Sequence, residues 1–256
     1  MAETKKTKKE NPFPTEMIDL PSGGKLYQSS SPLSSGQIEI KYMTAREEDI
    51  LTSQNLIKKG VVIDKLINAL IISDGISVDD LFLGDKNAVM VAARILAYGP
   101  EYTVELTNPS SGEKFDYTFD LSELSYKSLP SDINYSENKF DIKLPNSESE
   151  IVFKLLNGRD ETLIEQELKS LSKLSSINTR EVTTRLKHTI VSVDGKEDQK
   201  LISNFVDNML SRDSLFLRNK IADYTPDIVL EQEVDMDGDT VTVDIPMTVN
   251  FFWPTS

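Results

Sequence analysis

Residues 37–43 set Ile38, Ile40 and Tyr42 alternately against polar neighbours, the period of a strand with one buried face. The period then changes. Thr44 followed by Glu47 three residues on is a capping box, and it predicts a helix over 44–59 that stops at Gly60. Residues 61–72 carry Ile63, Leu66, Ile67, Leu70 and Ile71 as the broad apolar face of a second helix. Ser77 caps a short turn beginning at Val78, and residues 85–97 place Val89, Ala92, Ala93 and Leu96 at helical spacing before Gly99 and Pro100. These helices are expected to share one apolar centre. Ahead of them, residues 17–20 and 25–27 flank Pro21, Ser22, Gly23 and Gly24, which predicts a small hairpin.

Alternation returns at 102–106 and 115–120 around a turn-forming stretch, 108–112, and again at 139–144 and 151–156 around Pro145, Asn146 and Ser147. Helices are expected at 159–174, striped by Leu163, Ile164, Leu168, Leu171 and Leu174, and at 180–193, striped by Val182, Leu186 and Ile190. Two more follow at 199–210 and 212–223, and a last hairpin pairs 227–234 with 240–249 through Asp237 and Gly238. Closely connected antiparallel pairs argue against a parallel βαβ architecture. The expected class is α+β, helical clusters combined with short antiparallel hairpins in two units. The units span 13–120 and 139–256, joined by a serine-rich, acidic linker over 121–138 and preceded by a disordered basic tail over 1–12 that holds Lys5, Lys6, Lys8 and Lys9.

The 256 residues are 38% hydrophobic, enough for a substantial core, and the formal net charge of -14 disfavours binding to nucleic acid. No apolar run approaches the roughly 18 to 20 residues that cross a bilayer, so no membrane partner is expected. The absence of cysteine excludes disulfides, thiol nucleophiles and cysteine-bound zinc. His188, the single histidine, falls on the helix face opposite Val182, Leu186 and Ile190 and reads as a solvated side chain. Asp235, Asp237 and Asp239 surround Gly238, but a calcium loop would need its glycine and its last carboxylate at other spacings, and Pro246 stands where that carboxylate belongs. Gly23, Gly24 and Lys25 lack the remainder of a phosphate loop, since Leu26 replaces the hydroxyl that would hold magnesium. No catalytic, cofactor-binding or metal-binding residue is expected, and the chain reads as a non-enzyme. Phe251, Phe252 and Trp253, followed by Pro254, would be costly to leave in water. They either tuck against the second half or anchor another chain as partner-binding residues.

Four stretches also carry a resemblance: residues 20–27, 42–51, Lys58-Lys59-Gly60 and the terminal Asn250-Phe251-Phe252-Trp253-Pro254. Together they resemble the baseplate hub assembly proteins of T-even-like contractile-tailed phages, including cyanophage members, over roughly Phe13 to Ser256. The resemblance implies no reaction. It implies partners among other tail baseplate hub proteins, with the chain acting as a chaperone for hub subunits in the host cytoplasm or retained as a minor subunit of the virion tail. In the second case several symmetric copies, a homo-oligomer, are expected. Some relatives carry CxxC knuckles in their hairpins; the stretches 108–112 and 234–239 hold no cysteine.

Overall fold

A computed structural model describes residues 13–109, 111–174, 180–236, 238–247 and 249–252. The expectations for the tail over 1–12, for Asp237 in the last turn and for Trp253 lie outside those residues. The first pairing joins β1 (Thr15–Asp19) to β2 (Gln37–Lys41), antiparallel, with Ile18 opposite Ile38. The expected hairpin between 17–20 and 25–27 does not form. Leu20 N–H donates to the Gly36 carbonyl at 2.8 Å, closing the intervening residues into a loop. Gly24 (φ 76) and Gly36 (φ 77) occupy the left-handed region, and a Cβ on Gly24 would lie 2.5 Å from the Ser34 carbonyl oxygen. The loop therefore folds back on itself, and Leu26 and Leu33 turn inward, 6% and 1% exposed.

The helical run follows as α1 (Ala45–Leu51), α2 (Gln54–Lys59), α3 (Val62–Leu70) and α4 (Leu83–Tyr98). The capping box forms: the Thr44 amide and hydroxyl donate to the Glu47 carboxylate at 3.0 and 2.7 Å, and Lys41 pairs with its other oxygen at 2.7 Å. The single helix expected over 44–59 is two. The Thr52 hydroxyl donates to the Asp49 carbonyl at 3.1 Å and Ser53 turns extended (ψ 100), a local hydroxyl-to-backbone bond in place of the next helical turn. Gly60 (φ 71) stops α2 as expected. Two strands, β3 (Glu101–Thr107) and β4 (Lys114–Asp120), then form the predicted hairpin.

Downstream, β5 (Phe140–Lys143), β6 (Glu150–Phe153), α5 (Gly158–Leu174), α6 (Glu181–Thr189), β7 (Ile190–Val193), α7 (Gln199–Asp207) and α8 (Ser211–Tyr224) precede the hairpin of β8 (Glu231–Met236) and β9 (Asp239–Asp244). β7 lies where the end of a helix was expected. Ile190, Val191 and Val193 are β-branched, and as the third strand of the order β5-β6-β7 they bury Ile190 and Val193 almost fully. On α5 the expected leucine stripe is only partly used: Ile164 is buried, whereas Leu163 remains 52% exposed.

Two cores form, and they do not divide the chain at residue 139. The first gathers α3, α4 and the β3–β4 hairpin, together with Ile228, Val234, Met236, Ile245, Phe251 and Phe252 from the chain's end. The second gathers Phe140, Phe153, Leu186, Ile202 and Leu217, together with Leu26 and Phe82 from its beginning. A lone hairpin has too little apolar area to stand in water, so β8–β9 returns to the first core. The expected linker is part of this weave: Lys127 N–H donates to Asp227 C=O and Val229 N–H to Ser125 C=O, both at 2.8 Å, and Tyr135 is buried in the second core.

Two glycines let the halves close on each other. Gly158 N–H donates to Leu81 C=O at 3.0 Å, and a Cβ on Gly158 would lie 2.8 Å from the Asp79 Cα. On Gly84 a Cβ would fall 1.9 Å from the Pro226 carbonyl oxygen, a position no side chain occupies. In an open helix Gly→Ala gains about 0.5–1 kcal/mol. Here Gly84→Ala is expected to reverse that sign and cost about 2–3 kcal/mol through overpacking, read as a lower melting temperature.

Candidate interaction surface

Asp85, in the first turn of α4, is fully buried. Its carboxylate accepts the Ser22 N–H at 2.9 Å and the Tyr27 hydroxyl at 2.6 Å. The Tyr27 oxygen in turn accepts the Phe82 N–H at 3.3 Å, and the two rings meet edge to face at 5.2 Å. Burial holds the Asp85 carboxyl above its usual range despite the hydrogen bonds from Tyr27 and Ser22 that favour the anion. Burial and the neighbouring Asp85 push the Tyr27 hydroxyl far above its own. The stretch 20–27 is thus anchored by a buried polar network. Beside it opens a cleft of about 770 Å³ between the two cores, lined by Leu26, Tyr27, Pro32, Ile76, Asn138 and Asn157 among others.

Two of the three terminal aromatics lie within the described residues. Phe251 and Phe252 are fully buried in their own chain, and they pack on the first core rather than on the second half. Tyr102 meets Phe251 edge to face at 5.0 Å, and Phe251 meets Phe252 at 5.4 Å. Arg94, 2% exposed, donates through Nε to Phe251 C=O at 3.0 Å, through Nη1 to Gly99 C=O at 3.0 Å and through Nη2 to Glu101 C=O at 3.1 Å. Its guanidinium lies over the Tyr98 ring at 5.1 Å. Sequence reasoning missed Arg94, although an arginine interrupting the apolar positions Val91, Ala93 and Ile95 is the signal of a buried cation that needs carbonyl partners.

Other charges also hold backbone or one another. His188, expected on an open face, keeps 25% of its side chain exposed and pairs through Nε2 with Glu167 Oε2 at 2.9 Å. It borders a cleft of about 740 Å³ with Lys139, Lys154, Asp160 and Lys187, in which Lys154 and Asp160 pair at 2.7 Å. Fully buried Asp213 accepts the Asn146 and Ser147 amides at 2.9 and 3.0 Å and so fixes the turn between β5 and β6. Among the described residues no group of three or more His, Asp or Glu side chains is placed to hold a metal ion. Asp235 instead accepts the Gly238 N–H at 2.9 Å within its turn. The exposed surface carries isolated leucines, Leu210 and Leu215 at the start of α8, and carboxylate-rich outer faces on the hairpins.

Burial raises the Asp213 carboxyl, but the donors from Asn146 and Ser147 outweigh it and hold the group below its usual range. Stability from such a depressed group is present above the unfolded value near 3.9 and is lost as pH falls through the folded one. The melting-temperature deficit of Asp213→Asn is therefore expected to be largest near neutral pH and to shrink in acid below about pH 4.

No curated protein and no solved structure matches the chain. The stretches that carried the resemblance meet here as parts of one fold: residues 20–27 on Asp85, Thr44 and Glu47 at the start of α1, and Phe251 under Arg94. The family described as T4 bacteriophage base plate protein matches residues 14–253, and the chain belongs to that family.

Proposed function

We propose that this baseplate protein binds and positions hub subunits while the baseplate hub is assembled, and that it does so without catalysis. The observation that carries the reading is the use made of the buried charges: Asp85, Arg94 and Asp213 all hold the chain's own backbone. What faces outward is an acidic surface. With a net charge of -14 it suits a basic protein partner and repels nucleic acid and anionic lipid. Among the described residues no helix is long and apolar enough to cross a membrane. Assembly in the host cytoplasm and partners among hub proteins belong to this reading. The glycine-locked closure of the halves also favours a second one, a permanent subunit that bears load in the virion tail, in several symmetric copies.

Co-expression with the hub proteins, followed by purification of whatever stays bound, is expected to retain at least one hub subunit; capture of none would sink the proposal. Mass spectrometry of mature tails separates the two readings. Fixed stoichiometric presence supports the permanent subunit, and absence supports the transient assembly role. Phe251→Ala is expected to cost about 3–5 kcal/mol by emptying the first core. Its failure in complementation would then accompany a lowered melting temperature, whereas full stability with lost assembly would return Phe251 to the partner interface.

A further inference from the structure

The β3–β4 hairpin is a regular two-stranded ladder in which Glu101 lies opposite Asp120, Thr103 opposite Thr118, and Glu105 opposite Asp116. Asn108 N–H donates to Glu113 C=O at one end and Leu121 N–H to Pro100 C=O at the other. Both bonds sit one step outside the register given above. Counting inward by two makes 102↔119, 104↔117 and 106↔115 the hydrogen-bonded pairs. Thr103, Glu105 and Thr107 on β3, and Lys114, Asp116 and Thr118 on β4, therefore turn their N–H and C=O groups away from the partner strand. Two contacts fit this parity: the outward Glu101 carbonyl accepts Arg94 Nη2 at 3.1 Å, and the Thr103 and Thr118 hydroxyls approach to 2.8 Å.

Arg94 of α4 meets the edge of β3, but among the described residues no backbone hydrogen bond reaches the outer edge of β4. That edge has no proline or bulge to guard it. Its two faces differ in chemistry. The inner row, Phe115, Tyr117 and Phe119, runs from half-buried to buried along the first core. The outer row sets Glu101 against Asp120 and Glu105 against Asp116, like charges directly opposed, with Lys114 pairing to Glu105 at 2.6 Å.

We propose that the outer edge of β4 receives an extended segment of a partner protein as a third strand, one in which cationic residues alternate with apolar ones. Strand period dictates the alternation: every second side chain of an added strand would extend the carboxylate face and the others the aromatic row. A second copy of this chain fits less well: the antiparallel register of two β4 edges that pairs Asp116 with Asp120 opposes carboxylates, and the one that pairs Lys114 with Asp120 leaves Asp116 opposite Thr118 without a cation. The inference rests on the proposed role as a binder of baseplate proteins.

Amide hydrogen exchange on the full chain tests it, with a short synthetic peptide alternating lysine and valine as the probe. Protection of at least about tenfold is expected at the Asp116 and Thr118 amides, which point outward, and none at Phe115 or Tyr117, already bonded to β3. The same peptide N-methylated along its pairing edge keeps the charge and loses the bonds. If it binds and protects equally well, attraction between charges is all there is and the inference falls. Thr118→Pro removes an outward amide while sparing the ladder, so it should abolish protection, and Thr118→Val should not. Asp116→Lys, which leaves the backbone intact, should weaken the peptide and keeps the test open if proline unfolds the hairpin. In co-purification, a wild-type chain that retains no baseplate protein defeats the functional reading. A wild type and Thr118→Pro that retain one equally defeat strand addition alone.

Discussion

A carboxylate without exposed surface is tolerated only where the fold brings donors to it, and Asp85 finds them in residues more than fifty positions away. The Ser22 N–H can reach it only because Pro21 to Gly24 turn sharply, and that turn closes against Ser34 only because Gly24 has no Cβ. Tyr27 completes the network and shares its oxygen with the Phe82 N–H. Leu26 and Phe82 belong to the second core, and Ala88 and Val89 beyond Asp85 to the first. One side chain thus couples the entry loop, the start of α4 and both cores. Its raised carboxyl pKa means that the folded chain holds this proton more tightly than the unfolded one. Asp85 therefore favours the fold more as pH falls through its folded value toward the unfolded one, opposite in sign to Glu47 and Asp213, whose depressed values favour the fold at neutral pH.

The features legible in the sequence were those whose partners lie a few residues away. The Thr44 and Glu47 capping box, the stop at Gly60 and the β3–β4 hairpin are local events, and each stands as read. The break of the expected helix at Thr52 and Ser53 is also local, a hydroxyl-to-backbone bond that periodicity does not register, but the other misreadings share the opposite property. β1 passes over residues 25–27 to pair with β2, because the competing contact between Leu20 and Gly36 closes a loop that periodicity alone does not reveal. Ile190 to Val193 suit either the end of a helix or a strand, and β6, far away in sequence, decides for the strand. The last hairpin continues a pattern of helices and hairpins that reads as one unit, yet its apolar face has its complement in the first core. For the candidate site the outcome was similar: the aromatic cost of exposure was visible at Phe251 and Phe252, whereas their clamp, Arg94, was hidden inside an apolar helix.

This distribution bears on how family membership relates to function. Ser22 and Tyr27 serve Asp85, Thr44 and Glu47 serve the start of α1, and Phe251 serves Arg94. Three of the four stretches that carry the resemblance thus hold structural fastenings of the chain itself. They fasten elements of the chain to one another. Anchoring another chain through Phe251 and Phe252, the alternative to tucking them inside, would require opening the first core, which forfeits most of what their burial contributes.

The free surface has a consistent character. β3–β4 and β8–β9 each bury one face on the first core and present a carboxylate row on the other, with Glu231 opposite Asp244 on the second hairpin as Glu101 is opposite Asp120 on the first. Such opposed like charges cost a few tenths of a kcal/mol or more per pair, and the buried faces supply the stability to carry them. Their physical effect falls on association. Strand edges that would otherwise template pairing are flanked mainly by carboxylates, which disfavours like-charged strands at those edges. An acidic protein can in this way keep strand edges open without aggregating.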